Sequence, residues 1–474
     1  MRDRSGSISD VGSAGIRGRS VAGDRRVHLV SPRTSFGRNL QRTYAGGLGT
    51  VNPAERTFLP PLDLLRLAGV LRQAGHVPVV VDEEVTGPAQ PEPGDVVIGQ
   101  VALASLREDA ERLAALGAAG ATTYAYTSVR HLDQWAELLD RSGCAGLLLP
   151  EAVPAVTRVL AGESVPGLVS PGGPMSTAHA FGPVEDEPLP ARDLVDHRDY
   201  TFPQLPGHLV TTMNSGFGCP YPCRFYCPYP LGEGTRVRMY PVARVVAEFE
   251  QCAALGITAV VFRDPVFTFD RRRTVELCAA LERANTGIRW WCETRVDRLD
   301  PELVRAMVAA GCAGAEVGVE SGDAGLQSSS VRKRLRLDTV RALHATAAES
   351  GLRLFFLLLF GLPGETRHSI AHTLELVVEL GLPADRFHIS VITPYPGTEL
   401  HDLALDKGWI SGDQSGFTSF DAVMRTDHLD ERDLVEALEL VAELRSIGGG
   451  QAPRDALAGY ARRLRGWVDA PHAS

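Results

Sequence analysis

The sequence predicts an α/β protein with two parallel β-sheets and a small, mainly helical C-terminal region. Strand-like apolar runs alternate with amphipathic helical runs over 27–169 and again over 207–398, and such alternation is typical of parallel sheets with helical crossovers. A stretch rich in Pro, Gly and Asp, 170–206, lies between the two series and indicates a linker. The remaining segments are a polar N-terminal tail, 1–26, which we expect to be disordered, and the region 399–474.

The first series predicts a doubly wound sheet. Its strands are RVHLVSP, VPVVVDEE, GDVVIGQ, ATTYAYT and AGLLLPE, and its helices are PPLDLLRLAGVLRQAGH, LREDAERLAALGAAG and LDQWAELLDRSG. No G-x-G-x-x-G motif follows the first strand, so we do not expect a dinucleotide site.

The second series contains six strand–helix units, beginning with HLVTTMNS and ending with RFHISVITPYPG. Six units are too few to close an eight-stranded barrel, so the pattern favours an open, partial (β/α)6 barrel. In barrels of this kind the chemistry takes place at the carboxyl ends of the strands.

Composition narrows the class of protein. The chain has 474 residues and a net charge of 48 − 58 = −10, which argues against non-specific binding of nucleic acid. We find neither an apolar run long enough to span a membrane nor the core of a signal peptide. We therefore predict a cytoplasmic protein with no membrane or nucleic-acid partner.

Three cysteines, Cys219, Cys223 and Cys227, occupy one short loop, GFGCPYPCRFYC, directly after the first strand of the second series. Such a loop can hold three irons of a 4Fe-4S cluster and leave the fourth iron open. A structural zinc site usually needs a fourth ligand, so a zinc-stabilised, non-enzymatic scaffold is the weaker alternative. Disulfide pairing would leave one cysteine over.

The cysteine loop resembles that of the radical SAM superfamily, in the branch that carries a cobalamin-binding domain. The usual loop of this branch reads G-C-P-x-x-C-x-x-C, and here Arg224, Phe225 and Tyr226 make the second gap one residue longer. The strand ends FRDPVFT, GVESG, GLPGET and TPYPGTEL follow in the order found in the branch. The resemblance implies a 4Fe-4S cluster and S-adenosylmethionine (SAM) as cofactors.

The same resemblance supplies a set of residues expected to contact the cofactors. An aromatic residue beside the third cysteine often packs near the adenine, the GVESG strand end often meets the ribose, and GLPGET lets the backbone approach the adenine. The expected contacts are Phe225, Arg295, Glu320, Ser321, Lys333 and Gly361.

Alternation along the strands predicts which side chains share a face. Asp264 ends the second strand, Glu293 lies on the third and Glu316 on the fourth. We predict that these three carboxylates line the mouth of the barrel and bind a cationic substrate through charge-assisted hydrogen bonds. For proton transfer, which needs a general base and a general acid, the candidates are Asp264, Glu316, Tyr226 and His388.

The N-terminal domain resembles the Rossmann-like cobalamin-binding domain of the branch but lacks its D-x-H-x-x-G motif. The histidines of this region, His28, His76 and His131, all stand in other contexts. We therefore predict a vestigial domain and no bound cobalamin.

Loop spacing, the missing histidine and chain length together resemble the radical SAM diol dehydratases of aminoglycoside antibiotic biosynthesis, in the apramycin and tobramycin pathways. The resemblance implies abstraction of hydrogen from C4′ of paromamine and elimination of the C3′ hydroxyl, giving a 4′-keto-3′-deoxy product. A flavodoxin or ferredoxin would supply electrons, and a separate NADPH-dependent reductase would reduce the ketone. The alternative enzyme is a cobalamin-dependent radical SAM methyltransferase acting on a natural product.

Overall fold

The computed structural model describes residues 26–51, 56–411 and 417–470. The predicted tail therefore lies outside the described residues, apart from Arg26. The sixteen strands of these ranges are β1 (Arg26–Ser31), β2 (Leu40–Gln41), β3 (Thr50–Val51), β4 (Val77–Asp82), β5 (Val96–Val101), β6 (Thr122–Thr127), β7 (Leu147–Leu148), β8 (Leu168–Val169), β9 (Val210–Met213), β10 (Gly216–Phe217), β11 (Arg238–Met239), β12 (Ala259–Phe262), β13 (Arg289–Arg295), β14 (Cys312–Glu320), β15 (Arg353–Phe360) and β16 (Phe387–Val391).

Helices fill most of the intervals between these strands. The α-helices of the described ranges are α1 (Leu62–Gln73), α2 (Glu83–Thr86), α3 (Leu106–Ala118), α4 (Leu132–Ser142), α5 (Val156–Leu160), α6 (Tyr229–Glu233), α7 (Val242–Ala254), α8 (Arg271–Ala284), α9 (Pro301–Ala309), α10 (Ala324–Ser329), α11 (Leu337–Ser350), α12 (Arg367–Glu379), α13 (Glu399–Asp406), α14 (Glu431–Ser446) and α15 (Arg454–Val468). None of them is long and apolar enough to cross a membrane.

The first sheet has the strand order β4-β1-β5-β6-β7-β8 and is parallel except for β8. Apolar cores cover both faces, one formed with α1 and α5 and the other with α3 and α4. The chain passes from β1 to β4 on one side and then to β5 on the other, which makes the β1/β5 boundary the topological switch point. The predicted doubly wound sheet is confirmed.

The second sheet has the order β16-β15-β14-β13-β12-β9 with every pairing parallel, which confirms the open six-stranded partial barrel. Its outer face and the surrounding helices form the largest apolar core of the described residues. On the inner face Trp291 and Phe355 pack with Phe58 and Phe202. Residues from the first domain and from the predicted linker thus plug the base of the barrel.

The stretch 170–206, predicted as a linker, is packed where it meets the barrel. Arg192 is fully buried, pairs with Glu248 on α7 and donates a hydrogen bond to the carbonyl of Thr212 on β9. A charge buried so completely needs a partner. This ion pair therefore fixes the segment against the barrel.

Residues 32–49 leave β1 and cross the carboxyl edge of the first sheet. Arg42 lies at the switch point, where its guanidinium donates to the carbonyl of Pro32 at 2.8 Å and to both carboxylate oxygens of Asp109 at 2.7 Å. Both residues are buried, and the carbonyl of Leu48 accepts from the amide of Leu103 at 2.8 Å. The crossing segment is therefore fastened into the crevice between the strand ends.

Breaking this buried pair should destabilise the first domain. We expect Asp109→Asn to lower the free energy of unfolding by about 3–5 kcal/mol, because it leaves the Arg42 charge buried without its counter-charge. Urea unfolding followed by circular dichroism measures the change, with the exposed Asp140→Asn as the control. Replacing both charges, Arg42→Met with Asp109→Leu, should recover most of the loss. A single variant as stable as the wild type would contradict the assignment.

Candidate active site

The cysteine loop follows β9 and β10 at the carboxyl end of the barrel. Cys219 and Cys223 are buried and Cys227 is partly exposed. A short 3-10 helix, Pro222–Phe225, turns the chain so that the amide of Cys227 donates to the carbonyl of Cys223 at 3.0 Å. The longer second gap is thus accommodated by one helical turn.

The donor set of this loop fits an iron–sulfur cluster. In the ranges that the structure describes, no three His, Cys, Asp or Glu side chains converge on a point where a single metal ion could bind. A 4Fe-4S cluster does not require such convergence, because each cysteine binds a different iron. Two buried polar groups near the loop, Nη1 of Arg295 and the hydroxyl of Tyr226, have no hydrogen-bond partner among the described residues. Such groups are expected where a polar cofactor binds.

A cavity of about 210 Å³ opens beside the cysteine loop. Tyr226–Tyr229 form one wall, and inner-face residues of β13 to β16 form the opposite wall. The roof comes from the N-terminal domain, with Tyr44 and Ala45 among its residues. The cavity is therefore closed by two domains.

Two of the predicted carboxylates, Glu293 and Glu316, line the cavity together. Tyr229 donates its hydroxyl to Oε2 of Glu293 at 2.8 Å, and Arg263 lies 3.8 Å from the same oxygen. Burial raises the pKa of Glu293 above its ordinary value, although Arg263 and Tyr229 oppose the shift. The site thus holds acid groups in a poorly solvated wall.

Glu320 and Lys333 form an ion pair at the end of β14. Glu320 lines the cavity and has a φ of 67°, which is uncommon for a residue other than glycine. The pairing of β14 with β15 shifts register here, and the turn brings the carboxylate onto Nζ of Lys333. Burial disfavours the charged lysine, but Glu320 raises the pKa of Lys333 above its ordinary value. Lys333 therefore stays protonated beside the cysteine loop.

The two aromatic residues of the longer gap face different ways. Tyr226 lines the cavity, and burial raises the pKa of its hydroxyl far above the ordinary value. Phe225 is not among the described lining residues; it packs beneath the guanidinium of Arg332, 4.0 Å from the ring centroid. Of the pair, only Tyr226 is placed to meet a ligand in the cavity.

Four other residues predicted to contact substrate or cofactor are also placed. His388 lines the cavity, with its ring 4.9 Å from that of Phe420. Arg295 pairs with Asp297 at 2.9 Å. Ser321 is buried and accepts a hydrogen bond from an amide within its own turn, and Gly361 has a φ of 90°. Neither Ser321 nor Gly361 is among the described residues that line the cavity, and their roles stay predictions.

Asp264 does not reach the cavity, contrary to our prediction. Val260 and Phe262, which share its face of β12, belong to the core between sheet and helices, so this face looks outward. The Asp264 carboxylate accepts from the amide and the hydroxyl of Ser215, both at 2.7 Å. Burial raises its pKa to about 6. Asp264 therefore stabilises the backbone at Ser215, just before the cysteine loop.

Arg263, one residue earlier, is the inward-facing residue that sequence reasoning missed. It is buried, its guanidinium carbon lies 3.7 Å from the ring centroid of Tyr44, and it donates to the hydroxyl of Tyr229 at 3.1 Å. A correct assignment of the inner face of β12 would have found it. The contact with Tyr44 depends on how the two domains pack.

Arg42 occupies the crevice at the switch point, where ligands of doubly wound sheets bind. The cavities at this edge of the first sheet measure about 20, 60 and 440 Å³. The absence of cobalamin stays a prediction.

Comparison with known families agrees with this geometry. Residues 213–377 match the model of the Radical SAM superfamily. A relative from Pyrococcus horikoshii, named an uncharacterized methyltransferase, is 27% identical over 260 residues, which is 54% of this chain and 54% of the relative. The chain spans about half the length of the curated relatives it matches.

Solved structures share the fold over most of the chain. The radical SAM methyltransferase TsrM of Kitasatospora setae aligns with a TM-score of 0.58 at 18% identity, covering 82% of this chain and 77% of that one. The cobalamin-dependent radical SAM enzyme OxsB aligns with a TM-score of 0.65 at 12% identity, covering 89% and 67%. These likenesses establish the two-domain fold.

Glu365, in the GLPGET turn, is a further buried acid of this end of the barrel. It is fully buried and accepts from the amides of Gly361 and Leu362, at 2.5 and 3.2 Å. Burial raises its pKa from 4.5 to about 8, although these amides oppose the shift. Between about pH 4.5 and pH 8 the Glu365 carboxyl group is therefore protonated in the folded protein but ionised in the unfolded chain.

This difference predicts a dependence of stability on pH. The contribution of Glu365 is complete below about pH 4.5 and is lost as the pH rises towards 8, because the folded state binds more protons in that range. Glu365→Gln removes the titration but preserves the shape. We expect the stability of the variant relative to wild type to increase as the pH rises from about 4.5 to about 8, the interval between the two pKa values of Glu365. Chemical unfolding at several pH values measures this difference. A constant difference across that range would contradict the burial argument.

Proposed function

We propose that this radical SAM enzyme dehydrates a small polyol that bears amino groups, and that it does so without a corrinoid. The observation that carries the proposal is the crevice at the switch point, which Arg42 occupies in its pairing with Asp109. Cobalamin would have to displace this buried pair to bind at the switch point. Hydrogen abstraction followed by elimination needs only the cluster and SAM.

The cavity supports the substrate class. Glu293 and Glu316 present carboxylates to the cavity, and buried carboxylates bind ammonium groups through strong, charge-assisted hydrogen bonds. An ammonium bound at Glu293 would offset the burial that raises its pKa. A paromamine-like aminoglycoside supplies both ammonium groups and vicinal hydroxyls.

The cofactors, when bound, supply a 5′-deoxyadenosyl radical that removes one hydrogen atom from the substrate. The chain then has to move protons. Glu316 would accept the proton from the oxygen of the activated carbon, while the protonated Tyr226 donates a hydrogen bond to the departing hydroxyl. The hydroxide leaves as water with the proton that Glu316 accepted. One electron from the flavodoxin or ferredoxin and one proton from solvent then complete a keto, deoxy product, so the substrate loses the elements of water overall.

Methyl transfer is the second candidate, and the comparisons favour it. The relative from Pyrococcus horikoshii is named a methyltransferase, and TsrM is a solved methyltransferase of the same fold. Both likenesses are distant, and neither covers the full length of both proteins. The two candidates differ in their products, which allows a direct test.

An anaerobic assay with SAM, a reductant and a panel of aminoglycoside pseudodisaccharides separates the candidates by mass spectrometry. We expect a product that has lost the elements of water, formed without added cobalamin, because the cavity holds both a base and a hydrogen-bond donor. A product that has gained a methyl group would replace this proposal with the second candidate.

Variants of the cavity show whether Glu316 takes part in the reaction. We expect Glu316→Gln to lower the rate of product formation by about a hundredfold, while the cleavage of SAM without product continues. The exposed Glu349→Gln is the matched control and should behave as wild type. If Glu316→Gln dehydrates the substrate at the wild-type rate, the base lies elsewhere.

A further inference from the structure

A second cavity, which we call the base cavity, opens at the amino end of the barrel. Its volume is about 420 Å³, against about 210 Å³ for the active-site cavity. Residues near the starts of β13, β15 and β16 line it, together with the loop before β16, helix α14 and the segment 203–206. Pockets that bind small molecules ordinarily measure about 300–1,000 Å³. The base cavity is therefore large enough for a ligand, at the opposite end of the barrel from the cysteine loop.

The wall of the base cavity is basic. Arg353, Arg386 and Arg445 line it. Asp385 is the one acid among the described lining residues, so their formal charge is 3 − 1 = +2. Asp385 is a weak counter-charge, because its carboxylate is 81% exposed and lies 3.9 Å from Nε of Arg386. The cavity therefore attracts anions, although the chain as a whole has a net charge of −10.

Two of these arginines lie close enough to repel each other. Burial and the charges of Arg386 and Arg289 lower the pKa of Arg353 below its ordinary value. Arg353 donates only its Nε–H to a described residue, the carbonyl of Ala313 at 3.2 Å, whereas a guanidinium carries several N–H donors. An anion bound here would accept hydrogen bonds from the remaining donors and offset the repulsion.

Trp291 adds an unpaired donor to the same wall. The residue is 1% exposed, and its Nε1 has no hydrogen-bond partner among the described residues. Phe202 packs edge-on against the indole at 5.8 Å between centroids, and a Cβ at Gly314 would lie 2.2 Å from the ring. Buried donors ordinarily have a partner. This N–H therefore indicates that a polar ligand belongs in the base cavity.

Apolar groups complete the wall. Pro203, Pro206, Phe355 and Phe387 line the base cavity beside the arginines, and flat apolar surfaces of this kind suit a planar group. Phe355 also lines the active-site cavity. A ligand in the base cavity would thus contact a ring that the two cavities share.

We propose that the base cavity binds a small phosphate monoester that carries a flat apolar group, with its phosphate on Arg353 and Arg386. Guanidinium groups bind phosphate through pairs of parallel hydrogen bonds. A phosphate monoester carries close to two negative charges above neutral pH, which matches the formal charge of the wall. The site is separate from the active-site cavity and does not depend on the dehydration proposed above.

Phenyl phosphate is the probe for this site, titrated by calorimetry into the cluster-loaded protein. SAM is present so that the probe does not compete for the cluster. We expect saturable binding with a Kd below about 1 mM. Inorganic phosphate should bind more weakly, because it lacks the ring, and benzyl alcohol should not bind measurably, because it lacks the charge.

Neighbouring variants of opposite sign locate the site. We expect Arg386→Gln to weaken the binding of phenyl phosphate about tenfold and Asp385→Asn to strengthen it about threefold. The matched controls are the exposed Arg462→Gln on α15 and the exposed Asp140→Asn on α4, which change the net charge equally and should bind as wild type. A gain of affinity in Asp385→Asn cannot result from misfolding.

Four results would overturn the proposal. They are no saturable binding up to ~10 mM phenyl phosphate, equal weakening by Arg462→Gln and Arg386→Gln, no gain of affinity in Asp385→Asn, and benzoate binding as tightly as phenyl phosphate. The last result would assign the base cavity to carboxylates instead of phosphate monoesters.

Discussion

The buried ion pair between Arg42 and Asp109 is the interaction on which the arrangement of the site depends. It fastens residues 32–49 into the crevice of the first sheet, and the same segment then supplies Tyr44 and Ala45 to the roof of the cavity. A crevice that binds a ligand in other doubly wound sheets here binds the protein's own chain. The N-terminal domain thereby closes the barrel with side chains.

The chemistry of the barrel follows from which strand face looks inward. On β13 and β14 the inner face carries Glu293 and Glu316, and on β16 it carries His388. Arg263 joins this face on β12 and links Tyr44 of the first domain to Tyr229 after the cysteine loop. Charged groups so deeply buried are tolerated because they are paired. The pairing also keeps them in position for a ligand.

Much of this was predictable from local pattern. Strand–helix alternation gave both sheets, and period-two alternation put Glu293 and Glu316 on one wall. The face of Asp264 was predicted wrongly, because it lies beyond the end of β12 and the apolar residues before it fit either face. The residues that form the roof of the cavity could not be predicted from the sequence, because they depend on how the two domains pack. Arg42 gave no local signal, because its partner Asp109 is 67 residues away.

The most direct test of a corrinoid-free site is retention of the cofactor itself. The anaerobically reconstituted protein is incubated with hydroxocobalamin, passed through gel filtration and examined by visible spectroscopy. We expect the iron–sulfur absorption to remain and the corrinoid bands to be lost, with Asp109→Asn, which loosens the crossing segment, compared alongside. Stoichiometric corrinoid retained by the wild-type protein would contradict the account and would favour methyl transfer.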